Sequence, residues 1–183
     1  DLGIVGDAKL VLEAMVEEVK AAIGENGRRG DTATADRVAT SWAEWQAEWA
    51  PKLATAGSPM NPYRVVAEIN AAVDHKNTVA THDAGHPRDE VMPFYSATVP
   101  FGYIGWGKTT HLGYGLPLMI GAKIADPSKF CMNIMGDAAF GMSGLDLETA
   151  VRSGYPITTV VLNNSTMGGY NHHQPTAMEE FGA

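Results

Sequence analysis

The sequence predicts an α/β protein: a doubly wound parallel sheet with helices on both faces. Three observations predict it. Residues 78–82 (TVATH), 130–135 (FCMNIM) and 157–162 (ITTVVL) are short runs rich in β-branched or apolar residues, as strands buried in a parallel sheet are. The segments before and between them place apolar residues at helical spacing. Each run stops at a polar or glycine-bearing turn: Asp83-Ala84-Gly85-His86, Gly136-Asp137 and Asn163-Asn164. A strand–helix–strand order makes the strands parallel and joins them by a right-handed crossover.

The elements follow in chain order. Leu2, Ile4 and Val5 precede Gly6-Asp7, and a helix then carries Leu12, Met15, Val16, Val19 and Ile23 on one stripe. Asp7 suits its N-cap and Gly24 its stop. Residues 1–24 read as the end of a preceding α/β domain that lacks its sheet. Residues 25–60 read as a linker with one amphipathic helix over 36–50, where Trp42, Trp45 and Trp49 form a packing stripe. A compact α/β domain begins at residue 61. Asn61-Pro62 is an N-cap followed by proline at the first helical position, and Val65, Val66, Ile69 and Val73 form the apolar stripe. After the first strand, residues 87–107 read as an irregular loop beside the functional edge. Leu112-Gly113-Tyr114-Gly115-Leu116-Pro117 opens a helix that Asp126-Pro127 ends, with Gly113, Gly115 and Gly121 marking close backbone approach. After the second strand, Gly136 to Ala139 read as a turn and Ser143 as the N-cap of a helix that Gly154 and Pro156 end. The chain starts without Met, and residues 179–183 read as the opening of another βα unit. A piece of a longer polypeptide is therefore expected, its fold incomplete at the C-terminus.

Composition narrows the function. The chain has 183 residues, is 45% hydrophobic and carries a net charge of −8, with no basic run beyond Arg28-Arg29, which disfavours nucleic acid. No apolar stretch approaches the length of a membrane span. The single cysteine, Cys131, falls within a buried strand and suits a reducing, cytoplasmic compartment.

The chemistry gathers at the strand ends. Asp137 and Asn164 both lie just past the carboxyl ends of parallel strands, the edge where open α/β sheets bind ligands. One carboxylate, one amide oxygen and a backbone carbonyl from the following turn are hard oxygen ligands, a set that suits Mg²⁺ with its octahedron completed by phosphate and water. Gly136, Ala138 and Ala139 leave little side chain there, so backbone N–H groups can approach a phosphate. Gly85 and His86 stand at the equivalent turn of the first strand; His86 reads equally as a loop-surface residue. The adjacent His172 and His173 diverge, and a pocket edge suits them better than a metal. A Walker-type lysine and a dinucleotide glycine fingerprint are both missing from the sequence. That weakens, without removing, the alternatives of a Mg-dependent nucleotide- or phosphosugar-binding module. A non-catalytic relative kept for assembly is the other alternative.

Residues 129–169 resemble the cofactor motif of thiamine diphosphate-dependent enzymes: Gly-Asp-Gly, a helix, a strand, then Asn-Asn. The motif stands here as Gly136-Asp137-Ala138 and Asn163-Asn164, with Asp137 and Asn164 27 positions apart by their numbering, as in the family. Ala138 departs from the family's glycine, a mild change only where φ is negative. Residues 112–117 resemble the family's Met-Gly-Phe-Gly-Leu-Pro stretch. The nearest group is that of acetolactate synthase, oxalyl-CoA decarboxylase and benzoylformate decarboxylase, and residues 1–24 loosely resemble the end of that group's middle domain. The resemblance implies the thiamine diphosphate-binding fold for residues 61–183, with thiamine diphosphate and Mg²⁺ as cofactors. It implies Asp137, Asn164 and the Thr166 carbonyl as metal ligands. Gly85, His86, Gly136, Ala138, Ala139, Met167 and Gly168 would meet the cofactor. Leu112 would prop its bent form, and the Thr110 carbonyl would accept a hydrogen bond from its aminopyrimidine. The implied activity is that of a lyase or transferase, making or breaking a carbon–carbon bond next to a carbonyl on a 2-keto acid or acyl-CoA substrate. The family's essential glutamate lies in a separate pyrimidine-binding domain across a dimer interface, so a homodimer or homotetramer is implied and this segment alone would be inactive.

Overall fold

In the computed structural model the described residues are 3–24, 32–105 and 111–167. The chain divides into two compact units, Asp1–Trp49 and Ala50–Ala183. In the first, α1 spans Ala8–Ile23. Asp7 caps it by accepting from the Leu10 N–H, and Gly24, at φ 77°, ends it. Its apolar stripe, Leu12, Met15, Val16, Val19 and Ile23, is exposed. The next helix, α2, spans Ala33–Leu53, longer at both ends than the sequence pattern predicts, and the division between units falls inside it. Trp42 stacks on Trp45 at 5.1 Å and Trp45 meets Trp49 at 6.2 Å, so the tryptophan stripe packs along its own helix face.

The second unit is built on a three-stranded parallel sheet. Its elements are α3 (Pro62–Ala72), β1 (Thr78–His82), α4 (His86–Val91), α5 (Gly115–Ala125), β2 (Phe130–Gly136), α6 (Asp137–Ser143), α7 (Asp146–Arg152) and β3 (Thr158–Leu162). The order across the sheet is β1-β2-β3, with Thr78 opposite Phe130 and Met132 opposite Thr158. Alternate residues of β2 feed two cores, as the pleat requires. Met132 and Ile134 pack with Val66 of α3 and Val91 of α4 on one face. Met135 packs with Leu116 and Ile120 of α5, Ala139 of α6 and Ala150 of α7 on the other. Residues 102–104 cover the outer edge of β1: Ala80 donates to Gly102 O and accepts from Ile104 N, both at 3.0 Å.

Three local expectations change. The stretch from residue 87, expected to be irregular, opens with the helix α4. Pro87 fits its first turn, and Pro87 and Val91, four apart, are its buried residues. One i,i+4 pair is too short to show a period in sequence. Gly136 to Ala139 is not a turn before a later helix. Gly136 is the N-cap of α6, Asp137 its first residue, and Ser143, expected as an N-cap, is its last residue. Asp137 in the first turn favours a helix start through the macrodipole, and the alanines favour propagation. Of the three glycines expected at close approaches, Gly113 and Gly115 are, but a Cβ on Gly121 would meet nothing within 4 Å.

His82 closes β1 at 4% exposure. Its Nδ1–H donates to the Asp83 carbonyl at 3.0 Å, and its ring lies 5.8 Å from that of Tyr103. Burial pushes its pKa down from the usual 6.5; the Asp83 carbonyl bond opposes this, Arg88 adds to it, and the Asp83 and Asp89 charges oppose it. The unfolded chain therefore binds this proton more readily than the fold, and the fold loses stability as pH falls through and below about 6.5. Denaturation midpoints measured from pH 8 to pH 5 should fall on acidification, and the fall should be shallower for His82→Gln. An identical slope in both proteins would remove His82 as the cause.

Candidate functional site

The parallel ladder sets the carboxyl ends of β1, β2 and β3 on one edge of the sheet. A cavity of about 990 Å³ opens there. Ala84 and Gly85 from the turn after β1 line it, with His86 and Pro87 at the start of α4. Gly136 to Ala139, Val161 to Met167 and Leu112 also line it, as do Pro59, Met60, Pro62 and Val65 and, from α4, Arg88 and Glu90. Gly85, His86, Leu112, Gly136, Asp137, Ala138, Ala139, Asn164, Thr166 and Met167 are thus brought to one cavity. Thr110, Gly168, His172 and His173 lie outside the described residues.

Asp137 is half-buried in the first turn of α6, whose N-cap Gly136 has no side chain to bond the helix's free N–H groups. Ala138 is helical, so a methyl there is accommodated without left-handed strain. The Asn-Asn turn at the end of the adjacent strand β3 braces itself. Asn163 Oδ1 accepts from Ser165 N at 2.9 Å and Asn164 Oδ1 from Thr166 N at 3.1 Å, which holds Ser165 at φ 56°. An amide oxygen has two lone pairs, so Asn164 keeps acceptor capacity beyond that bond. Among the described residues no three His, Cys, Asp or Glu side chains converge on a metal-sized site. A cation here would rest on the Asp137 carboxylate with neutral oxygens, a donor set that fits Mg²⁺ carrying water and phosphate oxygens. Leu112 is half-buried: it packs against the Leu116–Met135 core and also faces the cavity. The two sequence readings of this leucine, core residue and cavity wall, are compatible.

Two acidic residues escaped the sequence reading. Glu90 lines the cavity, its side chain 14% exposed and 3.8 Å from His86 Nδ1. Burial raises its pKa, and the facing His86 lowers it. The i,i+4 spacing of His86 and Glu90 was readable only once α4 was known to be a helix. Asp83 is fully buried. Its Oδ1 accepts from Ala84 N at 2.8 Å and Gly113 N at 2.9 Å, and its Oδ2 from Gly115 N at 2.9 Å. A lone aspartate at a strand end reads as turn chemistry, and no local pattern connects it with glycines some thirty positions on.

The comparisons with known proteins agree on one family. Residues 83–182 match the model described as "Thiamine pyrophosphate enzyme, C-terminal TPP binding domain". The chain is 27% identical over 176 residues to the "Probable acetolactate synthase large subunit" of Methanococcus aeolicus, which covers 92% of this chain and 29% of that protein. It is 29% identical over 193 residues to the "Sulfoacetaldehyde acetyltransferase" of Alcaligenes xylosoxydans xylosoxydans, covering 94% of this chain and 32% of that protein. It is 28% identical over 171 residues to the "Acetolactate synthase isozyme 3 large subunit" of Escherichia coli (strain K12), covering 92% and 28%. The chain spans about a third or less of the length of these curated relatives. With more than half of its residues inside the family match, the chain belongs to the thiamine pyrophosphate-dependent enzyme family and carries its C-terminal cofactor-binding domain.

Proposed function

We propose that the full polypeptide is a thiamine diphosphate- and Mg²⁺-dependent enzyme that makes or breaks a carbon–carbon bond next to a carbonyl. The observation that carries this reading is the single cavity joining Asp137, the Asn164–Thr166 turn and Leu112 in a chain of this family. Bound thiamine diphosphate supplies a carbon nucleophile and an electron sink for such a bond. The protein's residues do the holding. Asp137, Asn164 and the Thr166 carbonyl hold Mg²⁺ and through it the diphosphate. Gly85, Gly136, Ala138 and Ala139 leave room for backbone N–H groups to reach the same phosphates, and His86 and Met167 flank them. Leu112 supports the cofactor from the apolar side. Residues 61–183 form this half of the site, residues 1–24 end a preceding domain and 25–60 link the two. The substrate is a 2-keto acid or a related acyl donor. Relatives named as a synthase and an acetyltransferase favour passing the acyl unit to an acceptor over releasing it. A second domain supplies the pyrimidine side across a homodimer or homotetramer interface.

Asp137→Ala in the full-length protein should abolish Mg²⁺-dependent thiamine diphosphate binding in a calorimetric titration, since it removes the one carboxylate of the proposed ligand set. Unchanged affinity would sink the metal assignment. Leu112→Ala should lower kcat by about 10²-fold while cofactor affinity changes little, because small positioning errors act on the reacting atoms. Truncating a buried leucine also costs about 2–5 kcal/mol of stability, so the comparison belongs on protein shown to be folded. Wild-type turnover with weakened cofactor binding would refute the role. Light scattering of the full polypeptide should give a dimer or tetramer mass; an active monomer would overturn the shared site.

A further inference from the structure

We propose that Asp83 is a positioning residue: its buried carboxylate stands in for the missing cap of α5 and ties the turn that carries Leu112 to the end of β1. The proposal rests on the functional reading above for its catalytic consequence but not for the tether itself. The first N–H groups of a helix need partners from outside the helix. Tyr114, the N-cap of α5, makes no side-chain capping bond to them. Asp83 reaches across from β1 instead. It accepts from Gly115 N, the first residue of α5, and from Gly113 N just before it, 32 and 30 positions away in sequence. A carboxylate at a helix N-terminus gains from the macrodipole as well as from charge-assisted bonds.

The two glycines admit this approach. Gly113 has φ +85°, and a Cβ there would come within 3.1 Å of Ser143 Cβ. A Cβ on Gly115 would collide with the Asn133 amide oxygen and lie 3.1 Å from Asp83 Oδ2. Asp83 and Asn133, both fully buried, therefore close on the Gly115 backbone from β1 and β2, and no side chain fits between.

Leu112 directly precedes the tethered Gly113 amide and lines the cavity. Asp137 and Asn164 follow β2 and β3 and owe their places to the sheet ladder, not to Asp83. Loosening the tether should therefore shift Leu112 and leave Asp137 and Asn164 in place.

The experiment uses full-length Asp83→Asn, which keeps size and shape but presents an NH₂ where one carboxylate oxygen accepted. Hydrogen exchange on cofactor-free protein should show the 111–118 peptide exchanging about tenfold faster or more, with the 130–136 peptide unchanged, as local opening allows. With thiamine diphosphate and Mg²⁺ as the probe, calorimetric affinity should stay within about threefold while kcat falls about tenfold or more. Asp83→Ala, which removes the acceptors of Gly113 N and Gly115 N without adding a donor, should reproduce the pattern, and it carries the test if Asp83→Asn does not fold. Unchanged exchange at 111–118 overturns the tether. Equal acceleration at 111–118 and 130–136 makes Asp83 a general stability residue and overturns positioning. Affinity and kcat falling in parallel, or neither falling, overturns the link to Leu112. Failure of the wild-type protein to bind thiamine diphosphate would instead refute the functional reading and the catalytic half of this proposal, with hydrogen exchange alone deciding the tether.

Discussion

The parallel ladder centred on β2 is the constraint on which the rest of the second unit depends. β2 is paired on both sides and buried from Cys131 to Met135, so its side chains must satisfy two cores at once. A slip of one residue would exchange the faces, turning Ile134 toward the α5 side and Asn133 toward the α3–α4 side. The register is therefore fixed by packing, and fixed register sets the strand ends. Ile134 faces His82 and Gly136 faces Leu162 across the ladder, so Asp83, Asp137 and Asn163 emerge along one edge. The cavity follows from that alignment, with α4 and α6 starting directly at its margin.

Charge has two different uses in this structure. The ion pairs of α3 and α7, Arg64–Glu68 and Arg152–Glu148, lie at the surface at helical spacing, and exposed pairs of this kind contribute on the order of 0.3–0.5 kcal/mol each. Asp83 is a buried anion whose partners are backbone N–H groups from two segments. A buried charge is tolerated only when its acceptor positions are met, and breaking such a set leaves an uncompensated group. Its energetic weight and its geometric reach set it apart from the surface pairs: it couples a strand end to a helix start.

The sequence was informative wherever the signal was local. The limits of β1 and the caps Asp7 and Asn61 followed from residue type and spacing, because a strand of β-branched residues and an oxygen-bearing N-cap act within a few positions. The β2 and β3 runs were readable for the same reason. What escaped was short or long-range. A six-residue helix shows no period, which hid α4 and with it the His86–Glu90 pair. Gly136 to Ala139 combined turn formers with helix formers, and the macrodipole decided for a helix. Gly121 read as a contact site from composition alone, although backbone approach depends on a neighbour that sequence does not supply. Among the candidate site residues, convergence on one cavity depended on the ladder register, while the part played by Asp83 depended on a fold-level meeting of three segments.

The cavity lining mixes two kinds of group, and that mixture gives a physical basis for orienting a ligand within it. Asp137, Asn163, Asn164 and the Ser165–Thr166 turn bring oxygen atoms, and His86, Arg88 and Glu90 bring charged or titratable groups. Leu112, Met60, Val65 and Met167 bring apolar side chains. A ligand with an anionic end and an aromatic body loses least solvation free energy when the anion meets cation and N–H groups and the rings meet aliphatic side chains. These groups also differ in how they are held. Asp137 and Asn164 follow directly from β2 and β3, whereas Leu112 sits on a turn held to the sheet by packing on the Leu116–Met135 core and by hydrogen bonds from two glycines to one carboxylate. Binding strength and reactive alignment can therefore respond to different residues of the same cavity.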